Sequence, residues 1–182
     1  MLKITYIQKR EDFVLNQLFA SSKLETVRKG RTRSRIRVPI AYIILGLILF
    51  SVNLTELGIV FLIIAVVWYL FYPLFIANAY KKTYTNHVDE IFANRFNQPV
   101  TVAFADEYIG WETVYGEAKM YNTGIESIDE ITDYCIVKFQ SGETLFVPLN
   151  QLTEKAEVLT ELRQLAEKNT ITYQTDLNWK WK

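Results

Sequence analysis

The 182-residue chain carries 20 Lys/Arg against 20 Asp/Glu, one histidine and one cysteine, and half of its residues are hydrophobic. One cysteine excludes an internal disulfide and suits a reducing compartment, and one histidine leaves most acid–base schemes to carboxylates. The zero net charge is divided: residues 1–37 hold ten basic and three acidic side chains, a net +7, and residues 38–182 hold ten and seventeen, a net −7.

Residues 1–37 read as a basic cytoplasmic leader. Leu2, Ile4 and Tyr6 alternate with Lys3 and Thr5, the period of a strand. Asp12 is placed to cap a following helix. Phe13, Ala20, Leu24 and Val27 form a helical stripe, with Leu15, Leu18 and Phe19 as an offset patch. Then come Arg28, Lys29, Arg31, Arg33, Arg35 and Arg37, six basic residues in ten. Such a run directly before an apolar helix sets topology, because Lys and Arg stay on the cytoplasmic side during insertion. The same charges suit anionic lipid headgroups. No nucleic-acid partner is expected, since the run is tied to the membrane. About 35 residues precede the first apolar run, unlike the layout of a secretory signal.

Residues 38–79 read as a transmembrane helical hairpin. Leu57 to Ala79 contains no charged residue and is long enough to cross the roughly 30 Å hydrocarbon layer. Ile36 to Leu54 reaches about 28 Å, provided Arg37 snorkels to the headgroups. Pro39 is expected in the first turn of the first helix, where a missing N–H costs little. Asn53 to Glu56 is a polar turn, and its Asn53-Leu54-Thr55 sequon lies too close to the apolar runs to read as more than that. Lys81 and Lys82 follow the second helix. With basic residues on both outer flanks, both termini are expected in the cytoplasm of a multi-pass (inner) membrane protein. Trp68, Tyr69, Phe71, Tyr72, Phe75 and Tyr80 gather toward the cytoplasmic interface, and Pro73 is expected to kink the helix near Tyr69. Neither apolar run holds an Asp, Glu, Lys or His at depth, which argues against an ion path.

Residues 80–99 read as a cytoplasmic helical extension placing His87, Ile91 and Arg95 on one face and ended by Gln98-Pro99. Residues 100–168 read as strands closed by a helix. Val100 to Phe104, Tyr108 to Thr113, Glu117 to Tyr121, Tyr134 to Gln140 and Thr144 to Pro148 are expected strands, with Ser141-Gly142 as a hairpin turn. Between them Ile125, Ile128 and Ile131 punctuate an acidic stretch. Val158, Leu159, Leu162, Leu165 and Ala166 share one face of a last helix. From Ile171 to Trp181 polar and larger side chains alternate, which reads either as a strand, with Leu2–Ile7 as its candidate partner, or as an interfacial tail with Trp179 and Trp181 in headgroups and Lys180 and Lys182 on phosphates.

This order resembles the YcxB-like family of bacterial membrane proteins: Asp12-Phe13 before the Arg-rich run, the hairpin, Ile125-Glu126-Ser127-Ile128-Asp129-Glu130 leading into Tyr134–Phe139, and Thr144–Pro148 before the last helix. The resemblance is one of layout over nearly the whole chain. It implies a seven-strand, barrel-like domain similar to pleckstrin-homology (PH) domains and a membrane location, but no transferable reaction or ligand. Residues after Lys168 look like an addition to that pattern.

The expected fold is therefore an α+β membrane protein: a two-helix transmembrane hairpin plus a small antiparallel β-barrel or sandwich, PH-like, with a C-terminal helix. No enzyme, cofactor or metal site is expected. His87 and Glu90 are a single imidazole–carboxylate pair where a metal needs three or four ligands, and Cys135 reads as a buried strand residue. Glu126, Asp129, Glu130 and Asp133 are the densest acidic cluster. From Val100 on, seven basic residues face fourteen acidic ones, so lipid phosphates are not expected on this domain. A protein partner on the acidic cluster is the expected use, the bilayer is the other partner, and homo-oligomerisation stays open.

Overall fold

The computed structural model describes residues 1–181; Lys182, expected on lipid phosphates, lies outside the described residues. The chain divides into two compact units, one of Met1–Asn16 with Val88–Lys180, the other of Gln17–His87 with Trp181.

The first unit is built on two four-stranded sheets. Strands β1 (Leu2–Gln8), β2 (Gln98–Phe104), β3 (Tyr108–Thr113) and β4 (Gly116–Tyr121) form one antiparallel sheet in that order. β5 (Ile125–Ile131), β6 (Tyr134–Phe139) and β7 (Thr144–Pro148) form the other, with β8 (Thr172–Asp176) on its far edge. Helix α4 (Lys155–Asn169) follows β7. Among the described residues the sheets do not close into a barrel. Val102, Phe104 and Ile109 of the first sheet, Ile128, Val137, Phe139 and Val147 of the second, and Val158 and Leu162 of α4 share one core, and the Trp111 and Phe139 rings meet across it at 5.9 Å.

The leader is not separate from this domain. β1 pairs with β2 across a gap of 89 residues (9–97), Ile4 opposite Val102 and Tyr6 opposite Val100. The alternation of β1 is half of a pleated surface whose other half is β2, and both apolar rows point into the core. Tyr6 also donates its hydroxyl to the Phe146 carbonyl at 2.8 Å, and the Gln151 side chain accepts the Ile7 N–H at 3.2 Å. The tail therefore finds a different partner from the one expected. β8 lies parallel to β5, Ile128 opposite Tyr173, which makes this sheet mixed. Thr170 ends α4 in the left-handed conformation (φ 56°) and turns the chain back along β5. The strand stops at Asp176, where a turn closes with the Trp179 N–H on the Asp176 carbonyl.

β5 itself escapes a period-two reading because it is bulged between Ile125 and Ser127. The extra residue, Glu126, brings Ile125 and Ile128 to the same inner face despite their spacing of three.

Helix α1 (Arg10–Lys23) begins two residues before Asp12. Asp12 is thus not the cap but sits inside the first turn, reaching back to the Lys9 N–H at 2.7 Å in the manner of a capping box. In the first unit Phe13 stacks on Phe92 at 5.1 Å and Arg10 pairs with Asp89 at 2.5 Å. The buried residues of α1 are Asp12, Phe13, Val14, Leu18, Phe19 and Ser21. Ala20 and Leu24 are exposed, because the backbone turns extended at Leu24 and the expected stripe is cut there.

The second unit is the hairpin. Helix α2 (Glu25–Ser51) runs unbroken from the basic segment into the apolar one, so Pro39 lies in its interior rather than its first turn. Helix α3 (Thr55–Phe92) continues far past its apolar part and contains Pro73. Asn53 adopts φ 60° between them, and the Leu54 N–H closes on the Leu49 carbonyl at 2.9 Å.

Candidate functional site

Both long helices are apolar and long enough to cross a membrane, and only 11% of each apolar window is buried within the protein. Their uncovered side chains are large: Leu70, Phe71, Leu74 and Phe75 are each 59–67% exposed. Soluble monomers rarely expose contiguous apolar patches larger than a few hundred Å².

The basic run lies wholly on α2, and the helix sorts it. Arg31 and Arg35, one turn apart, are half-buried and lie over aromatic faces. Arg35 stands 4.5 Å from the Tyr69 ring centroid, and Arg31 stands 5.0 Å from Trp181 and 5.9 Å from Tyr80. Trp181 in turn donates its indole N–H to the Ala77 carbonyl at 2.8 Å. Such stacking suits the flat, weakly hydrated guanidinium. Arg28, Lys29, Arg33 and Arg37 are exposed, as are Lys81 and Lys82. Lys29 forms an ion pair with Glu25 one turn away.

The acidic cluster does not form one solvated face. Glu126 is exposed and held by Lys138 at 2.6 Å, and Asp133 is exposed. Asp129 and Glu130 are buried in β5. Asp129 accepts from the Ser127 hydroxyl at 3.4 Å. Glu130 faces α4 and β8, taking the Tyr173 hydroxyl at 2.7 Å and Arg163 at 2.9 Å on the same oxygen. Burial pushes its carboxyl up, but the Tyr173 and Arg163 bonds more than offset that and hold it below the ordinary range. Tyr173 was legible only as a strand residue of the tail, and nothing local in the sequence joins it to Glu130.

A third buried carboxylate lies on the far side of the second sheet. Asp12 accepts the Tyr134 hydroxyl at 3.0 Å as well as the Lys9 N–H. Burial dominates, and its carboxyl is raised. Cys135 is fully buried, and burial pushes its thiol far up, away from the reactive thiolate. His87 and Glu90 are both exposed. Among the described residues no three of His, Cys, Asp or Glu come together as a metal set. Two concavities of the first unit are open grooves. The larger, about 510 Å³, runs between α4 and β8 past Arg163 and Tyr173. The other, about 370 Å³, lies over Ala103 and Gly110 on the outer face of the first sheet.

Comparison with protein-family models, curated proteins and solved structures finds no match for this chain.

Proposed function

We propose that the chain is a non-catalytic, membrane-anchored interaction protein of the YcxB-like type, with its hairpin in a bacterial inner membrane and a PH-like domain displayed in the cytoplasm. The observation that carries this reading is the uncovered apolar surface of α2 and α3, which hydrocarbon can cover and water cannot. The strand order supports the PH-like part. A four-stranded sheet, a three-stranded sheet and a helix follow one another as that layout requires, with β8 added at an edge. On this reading the hairpin is an insertion between the first two strands. The exposed Glu126 and Asp133 are the part of the acidic cluster left to meet a basic protein partner.

The test is a topology map. The buried Cys135 gives little background, so cysteines are introduced at Asn53 and at Lys168. An impermeant maleimide should label Asn53→Cys in intact cells and Lys168→Cys only after permeabilisation. The reverse pattern would overturn the orientation, and extraction of the chain by alkaline carbonate would overturn the membrane reading. Cross-linking of the full-length protein in its own membranes then asks for the partner. A stoichiometric protein lost on Glu126→Gln/Asp133→Asn supports the adaptor role.

A second reading, association with anionic lipid, is favoured by the exposed Arg33 and Arg37 beside the apolar segment.

A further inference from the structure

The six cations of the basic run are not equivalent once they are on a helix. At about 100° per residue, Lys29, Arg33 and Arg37 form a stripe one turn apart, and the Arg31/Arg35 pair is centred about 180° from it. The inner pair is spent on α3, where Arg35 covers Tyr69 and Arg31 covers Trp181 and Tyr80. The outer stripe is solvent-exposed. Among the described residues the Arg33 and Arg37 side chains meet no hydrogen bond, ion pair or ring, and Lys29 meets only Glu25, itself on the surface. The stripe leads directly into the apolar part of α2, whose Ile40, Ile43, Ile44 and Leu47 are exposed.

We infer that α2 is two-faced at the membrane surface: Arg31 and Arg35 clamp the hairpin through aromatic rings, and Lys29, Arg33 and Arg37 form a docking stripe for anionic phospholipid headgroups. This rests on the membrane-spanning reading above. The occupant is argued from charge and position. A guanidinium matches a phosphodiester in a bidentate fork. A cation at the start of a lipid-exposed helix stands at headgroup depth. The stripe also rises about 12 Å along the helix, so its cations reach from the apolar boundary out through the headgroup layer.

The discriminating experiment uses the full-length protein reconstituted into mixed phosphatidylcholine and phosphatidylglycerol vesicles. Brominated phosphatidylglycerol and brominated phosphatidylcholine are compared as quenchers of its tryptophan fluorescence, which gives the preference of the protein's lipid shell for the anionic lipid. The wild type should prefer phosphatidylglycerol, and the preference should weaken as salt rises. Arg33→Gln/Arg37→Gln should bring the two quenchers close to parity, whereas Arg33→Lys/Arg37→Lys should keep most of the preference. Arg31→Gln/Arg35→Gln should keep it too, while lowering the melting temperature of the hairpin. An unchanged preference in the outer double variant, or an equal loss in the inner one, would overturn the assignment. Protein that failed to float with the vesicles would sink the membrane reading and the lipid stripe together. Floating protein with no anionic preference would overturn the stripe alone.

Discussion

Gly46 of α2 and Gly58 of α3 touch backbone to backbone. A Cβ built on Gly58 would stand 3.0 Å from the Gly46 carbonyl oxygen, and one on Gly46 would stand 3.1 Å from the Gly58 carbonyl oxygen. The same added Cβ on Gly58 would also stand 3.2 Å from the Phe50 ring. Small residues at a helix crossing allow this approach, and apolar hairpins depend on it because lipid offers no hydrophobic drive to associate. Gly58→Val should therefore split the crossing, since the obstructing atom is backbone and cannot swing aside. Overpacking of this kind costs about 1–3 kcal/mol. The expected readout is a lower melting temperature in detergent, with Gly46→Val behaving alike. Gly30→Ala, where no atom lies within 4 Å of the added carbon, should not lower it and serves as the control.

Glu130 should give the domain an acid-side instability. Its carboxyl is held below the usual value of 4.5 in the folded state, because Tyr173 and Arg163 outweigh the opposing effect of burial. A depressed carboxyl stabilises the fold above its unfolded value, and that contribution is lost as pH falls through the folded value. Glu130→Gln should be less stable than the wild type at pH 7, with a gap on the order of 1–3 kcal/mol for the weakened buried partners. The gap should shrink once the pH drops below about 4.5. Urea melts of both proteins across that range measure it, and a gap independent of pH would show that Glu130 acts through packing alone.

Asp12 should behave in the opposite sense. Burial raises its carboxyl, so the charged form is the less comfortable one in the fold, and its contribution to stability grows as pH falls from its folded value toward its unfolded one. Asp12→Asn keeps an acceptor for the Lys9 N–H and can donate to the Tyr134 oxygen. It should match or exceed the wild type at neutral pH. Asp12→Ala removes the first-turn bond and should cost about 0.5–2 kcal/mol. Melts at pH 7 rank the three.

What the sequence made legible and what it hid follow from the range of each interaction. The hairpin was readable because Leu57–Ala79 carries its signal within itself. β2, β3, β6 and β7 were readable because each alternates or sits beside a turn. β5 was hidden by its bulge at Glu126, which turns a spacing of two into three. The pairing of β1 with β2 was hidden by the hairpin between them, and both strands offered the same alternation to any partner. The acidic cluster looked like one surface because charge was counted along the chain. Pleating sends Glu126 to solvent, while Asp129 and Glu130 are buried beside polar partners. Arg31 and Arg35 looked like their neighbours until the antiparallel register of α2 and α3 set them against Tyr69 and Tyr80.

Cys135 offers the simplest test of the core. Its side chain is fully buried between β5 and β7, and burial holds the thiol protonated far beyond its ordinary range. Both conditions oppose alkylation, which needs an accessible thiolate. The native protein should stay unlabelled by a small maleimide at pH 7 on the timescale that labels a surface cysteine such as Lys168→Cys. The same protein in urea should label fully, because unfolding restores both access and the ordinary thiol. Labelling under native conditions at a rate set by global unfolding would place Cys135 in the most stable part of the domain. Labelling much faster than unfolding would mean that the second sheet opens locally, and the packing of Cys135 beside Val137 and Val147 would need revision.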